Sequence, residues 1–242
     1  MKNGGSMQMQ VQMKLGVMMR DLLQVEDEAW GLYAFSRDIL NRRILPETKT
    51  EMIAKATACG KAYAQRIIRE YGTRDVRVIA DKLKLKLEFQ SALMTGKRVL
   101  FACYTPPYTI EIMEEPVRRA AELVQEEEPA LVELFQQAGI MNTILGHEIF
   151  HFVEDQFAHE IYTRTEKILL WNLLGFKNYS TIRTLSEVGA MAFTQELNRL
   201  SYAPFILDVL LYYSYDAASA EKIYRDVLGV SSGRCREPVE DY

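Results

Sequence analysis

Residues 146–155 read GHEIFHFVED, which holds two of the chain's three histidines, four residues apart, with a glutamate directly after the first. On an α-helix a step of four residues advances about 400°, so His147 and His151 leave one face a single turn apart and both imidazoles can reach one ion. Glu148 stands about 100° around from His147, beside such an ion rather than on it. From there it can take a proton from a bound water whose pKa the cation has lowered. The alternative is two histidines falling at this spacing by chance on a buried helix. Leu145, Ile149, Phe150, Phe152, Val153 and Phe157 make the segment apolar almost all round, so it is expected to be buried. Histidines and a carboxylate on one buried stripe are costly unless something pairs them, and a cation does so.

A third ligand has to come from elsewhere. A continuation HExxHxxGxxH would need Gly at 154 and His at 157, where this chain has Glu154 and Phe157. His159, eight residues past His151, would lie about 12 Å further along a continuous helix, too far for one inner shell. A di-iron bundle needs a second ExxH pair, and Ile144 and Gln156 close that route. Glu154 and Asp155 are better suited to orient an imidazole than to bind the ion. A carboxylate from another helix is left, and TLSEVGAMAFTQEL (184–197) offers Glu187. In that segment Leu185, Gly189, Ala192, Phe193 and Leu197 read as the packing side. Glu187 shares the other face with Arg183, Ala190, Met191 and Thr194. An ordinary exposed helix glutamate is the competing reading of Glu187.

The elements that must position these residues are mostly helices. Apolar spacing predicts a helix over 18–41. A second is opened by Pro46 and stopped at Gly72, and a short one covers 75–82. In KLKLKLEF the period changes to two: Leu83, Leu85, Leu87 and Phe89 alternate with charges, as in a half-buried strand. RVLFACYT (98–105) is apolar on both faces, as a central strand would be. After Pro106 and Pro107 the run YTIEIMEE alternates again, which suggests a hairpin and a small central sheet of about three strands. Beyond Pro116 everything reads as helix, over 117–127, 129–138, 140–160, 163–175, 181–200 and 204–228. The class is therefore α+β, mostly helical.

Composition excludes several functions. Across 242 residues, 48% are apolar and 26% charged, which is ordinary for a globular chain. With 29 Lys and Arg against 33 Asp and Glu the net charge is −4, so no nucleic-acid partner is expected. Cys59, Cys103 and Cys235 form no CxxC pair and no disulfide framework, as in a reducing cytosol. The N-terminal stretch alternates Gln with Met and builds no signal-peptide core. The most apolar tracts, 168–176 and 203–213, fall short of the roughly 18 to 20 residues a membrane span requires. A cytoplasmic chain with no membrane partner is the expectation.

GHEIFHFVE followed some 36 residues later by SEVGAMAFTQEL resembles the ImmA/IrrE-type metallopeptidases. The upstream order, a helix ending in REYG, then DVRVIADKLKLKLEF, then a hairpin before the HExxH helix, is similar too. The resemblance covers roughly residues 60–200. Thr194 replaces the usual final alanine of the ExxAxxFA-like segment, and helical residues 116–146 stand where the family usually has a short loop. Residues 1–60, which have no counterpart in it, are read as a helical extension, and 61–242 as a zincin-like domain. That domain would carry a helical insert at 116–140 and a helical C-terminal region. The resemblance implies that His147, His151 and Glu187 bind Zn²⁺ with water in the fourth position, and that Glu148 is the general base. The substrate would be a protein or peptide, such as a repressor cut at one site. Tyr179, Arg183, Tyr212, Tyr213 and Tyr215 are candidates to stabilise an oxyanion. The acidic insert, placed just before the active helix, would shield the cleft. The competing class is a non-catalytic zinc-binding protein that acts through partner contacts.

Overall fold

Where the sequence predicts one helix over 18–41, the computed structural model, which describes residues 13–91, 94–95, 98–99 and 101–233, breaks it in two. The first, α1 (Leu15–Leu22), ends in a turn, and α2 (Asp27–Ser36) starts on its own acidic first turn. The break lets Met18, Met19 and Leu22, then Trp30, Tyr33 and Phe35, enter the same core. A 3-10 turn (Asn41–Arg43) leads into α3 (Pro46–Tyr71). There Pro46 sits in the first turn, where its missing N–H is no loss. Gly72, at φ 68°, ends the helix in the left-handed region. Next, α4 (Val76–Lys82) is capped by the Asp75 side chain, which accepts from the Arg77 and Val78 N–H groups. The expected boundary after residue 60 falls inside α3, and the helices before it share one core with the rest.

The strands follow as β1 (Lys86–Gln90), β2 (Met94–Thr95), β3 (Arg98–Val99), β4 (Ala102–Thr105) and β5 (Thr109–Met113). The main sheet has three strands in the order β1-β5-β4, with β1 parallel to β5 and β4 antiparallel to it; β2 and β3 form a minimal antiparallel pair. The expected small sheet is present, but its central strand is β5 and not the 98–105 run. Ile110, Ile112 and Met113 are fully buried in β5, because it alone has a neighbour on both sides. The edge strand β4 leaves backbone groups free to turn toward the HExxH helix. The alternation at 83–89 is only partly a strand: Lys84 turns at φ 58°, and Phe89 is 45% exposed.

Then come α5 (Glu114–Val124), α6 (Pro129–Leu134), α7 (Gln137–Gln156) and α8 (Tyr162–Thr165). A hairpin of β6 (Lys167–Leu173) and β7 (Phe176–Thr181) precedes α9 (Arg183–Asn198), α10 (Ile206–Tyr213) and α11 (Ala217–Ser231). The expected helix over 163–175 is therefore mostly strand. Its short apolar run carries no periodicity that separates the two states. Leu174 and Gly175, at φ 49° and 88°, make a two-residue turn no helix can contain. The expected helix over 204–228 splits before Asp216, whose side chain caps α11 through the Ala218 and Ser219 N–H groups. In the insert, Glu122 pairs with Arg118 and Glu115 with Arg119, both at 2.6 Å, while Glu128 meets Arg20 at 3.4 Å and Glu127 accepts from the Gly16 N–H at 3.1 Å. These contacts tie the insert to itself and to α1. None of them involves His147, His151 or Glu187, so the expected shield finds no support in them.

The fold turns on α9, which packs against α3 on one side and α7 on the other. Ala190 and Thr194, expected on its open face, are fully buried for this reason. At the crossings the backbones nearly touch. A Cβ at Gly60 would collide with the Gly189 carbonyl and lie 2.9 Å from the Phe193 nitrogen; one at Gly189 would lie 2.8 Å from both the Phe150 ring and the Thr163 methyl. We expect Gly60→Ala to cost about 2 kcal/mol or more, because main chain rather than a flexible side chain has to move. Its denaturation midpoint, compared with that of Ala64→Gly on the same helix, checks this. An unchanged midpoint in Gly60→Ala contradicts so close a crossing.

Candidate metal centre

His147 and His151 lie one turn apart on α7 and both present Nε2 to the same point. Their Nε2 atoms are 3.0 Å apart, and Glu187 Oε2, from α9, lies 3.4 Å from His147 Nε2. One donor atom from each of the three residues falls within 4.8 Å of the others. Two ligands of a tetrahedral zinc, each about 2.0–2.1 Å from it, are separated by about 3.3 Å, so this spacing suits one ion. The donor set, two imidazoles and a carboxylate, is also of the right chemistry. All three residues are half-buried. Burial alone would lower the pKa of His147, but the Glu187 carboxylate outweighs it and lifts the imidazole to about 9. Burial likewise favours a neutral Glu187, but contact with His147, supported by His151 and Arg183, holds it down at about 2. In the metal-free chain a proton thus takes the place of the cation.

Behind His151 stands a relay. The Ser186 hydroxyl donates to Glu154 Oε2 at 2.7 Å, which frees its oxygen to accept from His151 Nδ1 at 3.3 Å. A proton on Nδ1 leaves Nε2 with its lone pair toward the centre. Glu154 is fully buried, and Arg164 Nε meets the same oxygen at 3.0 Å. Burial would raise its pKa, yet His151, Thr163, Ser186 and Arg164 together lower it. This is the orienting role expected for Glu154; Asp155 and His159 are exposed. His147 has no such support: its Nδ1 is buried without a partner among the described residues.

Glu148 is 8% exposed and belongs to a different set of contacts. Its Oε2 accepts the Tyr104 backbone N–H of edge strand β4 at 2.7 Å. That bond holds the carboxylate beside His147, whose pKa it helps to raise, and outside the three-donor group. Of the oxyanion candidates, Arg183 stands one helical turn before Glu187 and its charge reaches that carboxylate. Tyr212 packs edge-on against Phe101 at 5.5 Å, Tyr213 donates to the Met13 carbonyl at 3.3 Å, and the Tyr215 ring lies under Arg119 at 4.9 Å. Tyr179 is 51% exposed on the β6–β7 hairpin. Cys59 and Cys103 are free thiols, and Cys235 lies outside the described residues.

Three contributors from the ends of the chain escaped the sequence reading. The N-cap of α9, Ile182, has no side-chain acceptor. Asp38 supplies one, taking the Thr184 N–H at 3.1 Å and its hydroxyl at 2.7 Å, which pins the helix that carries Glu187. Arg37 donates to the Tyr33 hydroxyl at 2.9 Å and feels Asp208. Asp208, on α10, is pushed up to about 6 by burial against the pull of Arg37 and His147, with Glu187 adding to the rise. A lone carboxylate in the otherwise apolar ILDVLLYY was the one signal that could have found it.

Two outcomes are expected. Ser186→Ala breaks the relay while leaving all three proposed ligands in place, so zinc affinity by competition with a chelator should fall about tenfold while the fold is kept. Unchanged affinity contradicts the relay. For Asp208, the folded chain holds a proton between the ordinary carboxylate value and about 6 that the unfolded chain has released. Stability therefore drops as pH rises through that window and stays lost above it. Metal-free Asp208→Asn should melt higher than the parent at about pH 8, with the difference vanishing near pH 4.

No protein-family model, curated protein or solved structure matches this chain.

Proposed function

We propose that this chain is a zinc-dependent, gluzincin-like peptidase of the ImmA/IrrE type, acting in the cytoplasm on a protein or peptide substrate. One observation carries the reading: two imidazole Nε2 atoms 3.0 Å apart and a carboxylate oxygen from another helix at 3.4 Å converge with zinc-like spacing. A zinc ion bound there would supply Lewis-acid activation of water and of a peptide carbonyl. The chain's own residues do the rest. His147, His151 and Glu187 hold the site, and Ser186 with Glu154 keeps His151 in the ligating tautomer. Glu148 takes the proton of the attacking water and passes it to the leaving amine, with the Tyr104 N–H fixing one carboxylate oxygen so that the other faces the water. Arg183, whose charge reaches Glu187, is the candidate to stabilise an oxyanion. By analogy with the family resemblance, the substrate is a specific regulatory protein such as a repressor.

A second reading, a non-catalytic zinc protein on the same fold, has its own support. Glu148 is nearly closed off, and a cavity of about 400 Å³ lies at the far end of α9 between Lys61, Arg74, Glu196 and Arg199. Among the described residues no helix is long and apolar enough to cross a membrane, which bears on neither reading.

Purified protein should carry about one zinc per chain, lost in His147→Ala and kept in His159→Ala. Glu187→Ala should weaken zinc strongly. Glu196→Ala, on the same helix but bound to Gln65 and Arg74, should not. Glu148→Gln should keep its zinc and lose hydrolysis by at least about a hundredfold. If Glu148→Gln loses the metal instead, the base assignment fails. If zinc binds as expected but no peptide or protein is cut, the second reading stands.

A further inference from the structure

Six of the twelve exposed large hydrophobic side chains among the described residues stand on the β6–β7 hairpin, outside the metal centre. On its inner side Ile168 and Leu170 pack against the core, and Arg43 donates to the Leu170 carbonyl at 2.9 Å. Beyond the bulge between Leu169 and Trp171, toward the tip, Trp171 is 50% exposed, Leu173 65%, Phe176 75%, and Leu174 at the tip 91%. The tip is costly in two ways. Leu174 and Gly175 have positive φ, 49° and 88°, the geometry of a type I′ turn, where Asn-Gly is at ease and a leucine is strained. The same leucine places an apolar side chain in water, outside the core cluster and the residues packed on it. A residue that breaks two local rules without any gain among the described residues points to a contact beyond them.

The surroundings say which kind. The tip is convex, so it does not form a groove for an extended peptide. Between positions 166 and 183 the charges are Lys167, Lys177 and Arg183 against Glu166 alone, and Arg43 adds a cation at the hairpin's inner side. An isologous contact with a second copy would set these cations against their own images. Apolar side chains at a tip, aromatic rings behind them and lysines on the flanks suit a bilayer with anionic headgroups, where each depth takes a different chemistry.

We propose that the hairpin is a membrane-surface anchor. Leu173, Leu174 and Phe176 enter the acyl boundary of an anionic bilayer, and Trp171 and Tyr179 lie at headgroup level. Lys177, paired with Asn172 directly behind the tip, meets lipid phosphates, while Lys167 at the hairpin's base adds to the attraction for the anionic surface. The sequence led us to expect no membrane partner, because it weighed only tracts long enough to cross. A hairpin tip lying in the interface needs no such length. The proposal is independent of the metal reading.

The test uses the full chain and vesicles of phosphatidylcholine in which about one lipid in three is phosphatidylserine. Of the chain's two tryptophans, Trp30 is fully buried in the core, so a blue shift on adding vesicles reports Trp171. We expect that shift, with co-sedimentation, on the anionic vesicles and little of either on phosphatidylcholine alone. Leu174→Asn suits the turn better than leucine, so it should fold at least as well, yet bind vesicles about tenfold more weakly. Lys167→Glu with Lys177→Glu should weaken binding by about tenfold or more and remove its salt dependence. The proposal is overturned by anionic vesicles that leave Trp171 emission unchanged, or by binding that Leu174→Asn does not weaken. A dimer that Leu174→Asn dissociates assigns the hairpin to a second copy and overturns it. Capture of an acidic protein without affinity for vesicles has the same effect.

Discussion

Backbone contact at the α3–α9 crossing sets where Glu187 can be. With no side chain at Gly60 or Gly189, α9 lies against α3 and is pressed toward Phe150 of α7. Gly146, one residue before His147, keeps the same closeness further along, where a Cβ would lie 3.2 Å from the Thr194 methyl. A metal shell tolerates only about 0.2 Å in its ligand distances. Helices held apart by ordinary side chains sit about 8–10 Å apart and leave more play than that. The glycines therefore do for Glu187 what the helix repeat does for the two histidines.

Around that geometry the charges are arranged to hold a cation. The two imidazoles aim neutral donor atoms inward, and Glu187 brings one negative charge. In the metal-free chain the result is a His147 that holds its proton up to about 9 and a Glu187 that releases its own near 2. The buried Glu154 would be a second uncompensated charge, but Arg164 and the Ser186 hydroxyl take it up, and its remaining influence goes to His151. The support is lopsided: His151 is braced from behind, whereas His147 Nδ1 has no partner among the described residues. His147 is instead held through the face it shares with Glu187.

The ends of the chain serve the same helix from outside. Asp38 holds the start of α9, and Asp208 with Arg37 shapes the field around His147. The β6–β7 hairpin runs directly into α9, one turn before Glu187, so whatever binds that hairpin lies next to the candidate site in the chain. Interior and hairpin follow opposite logic. In the interior, side chains are absent where backbones meet; on the hairpin, large apolar side chains stand where none of the described residues covers them.

The residues themselves determined whatever is local. Four-residue spacing on one helix brings His147 and His151 together without help from the rest of the fold, so the Nε2–Nε2 approach of 3.0 Å was legible in HEIFH. Pro46, Gly72 and the Asp75 cap marked helix ends for the same reason. Glu187 could be nominated by chemistry, but its distance to His147 depends on how α9 crosses its neighbours, and pattern carries no crossing distance. The 163–175 tract was misread because a short apolar run satisfies helix and strand alike, and the decision fell to the turn at Leu174 and Gly175. β5 took the central place from the 98–105 run because strand order comes from pairing, which alternation does not encode. Asp38, Arg37 and Asp208 lie far from the site in the chain; Asp38 reaches α9, and Asp208, with Arg37 beside it, reaches His147, only when the helices pack. Only the folded chain could bring them there, since their spacing in sequence sets no distance in space.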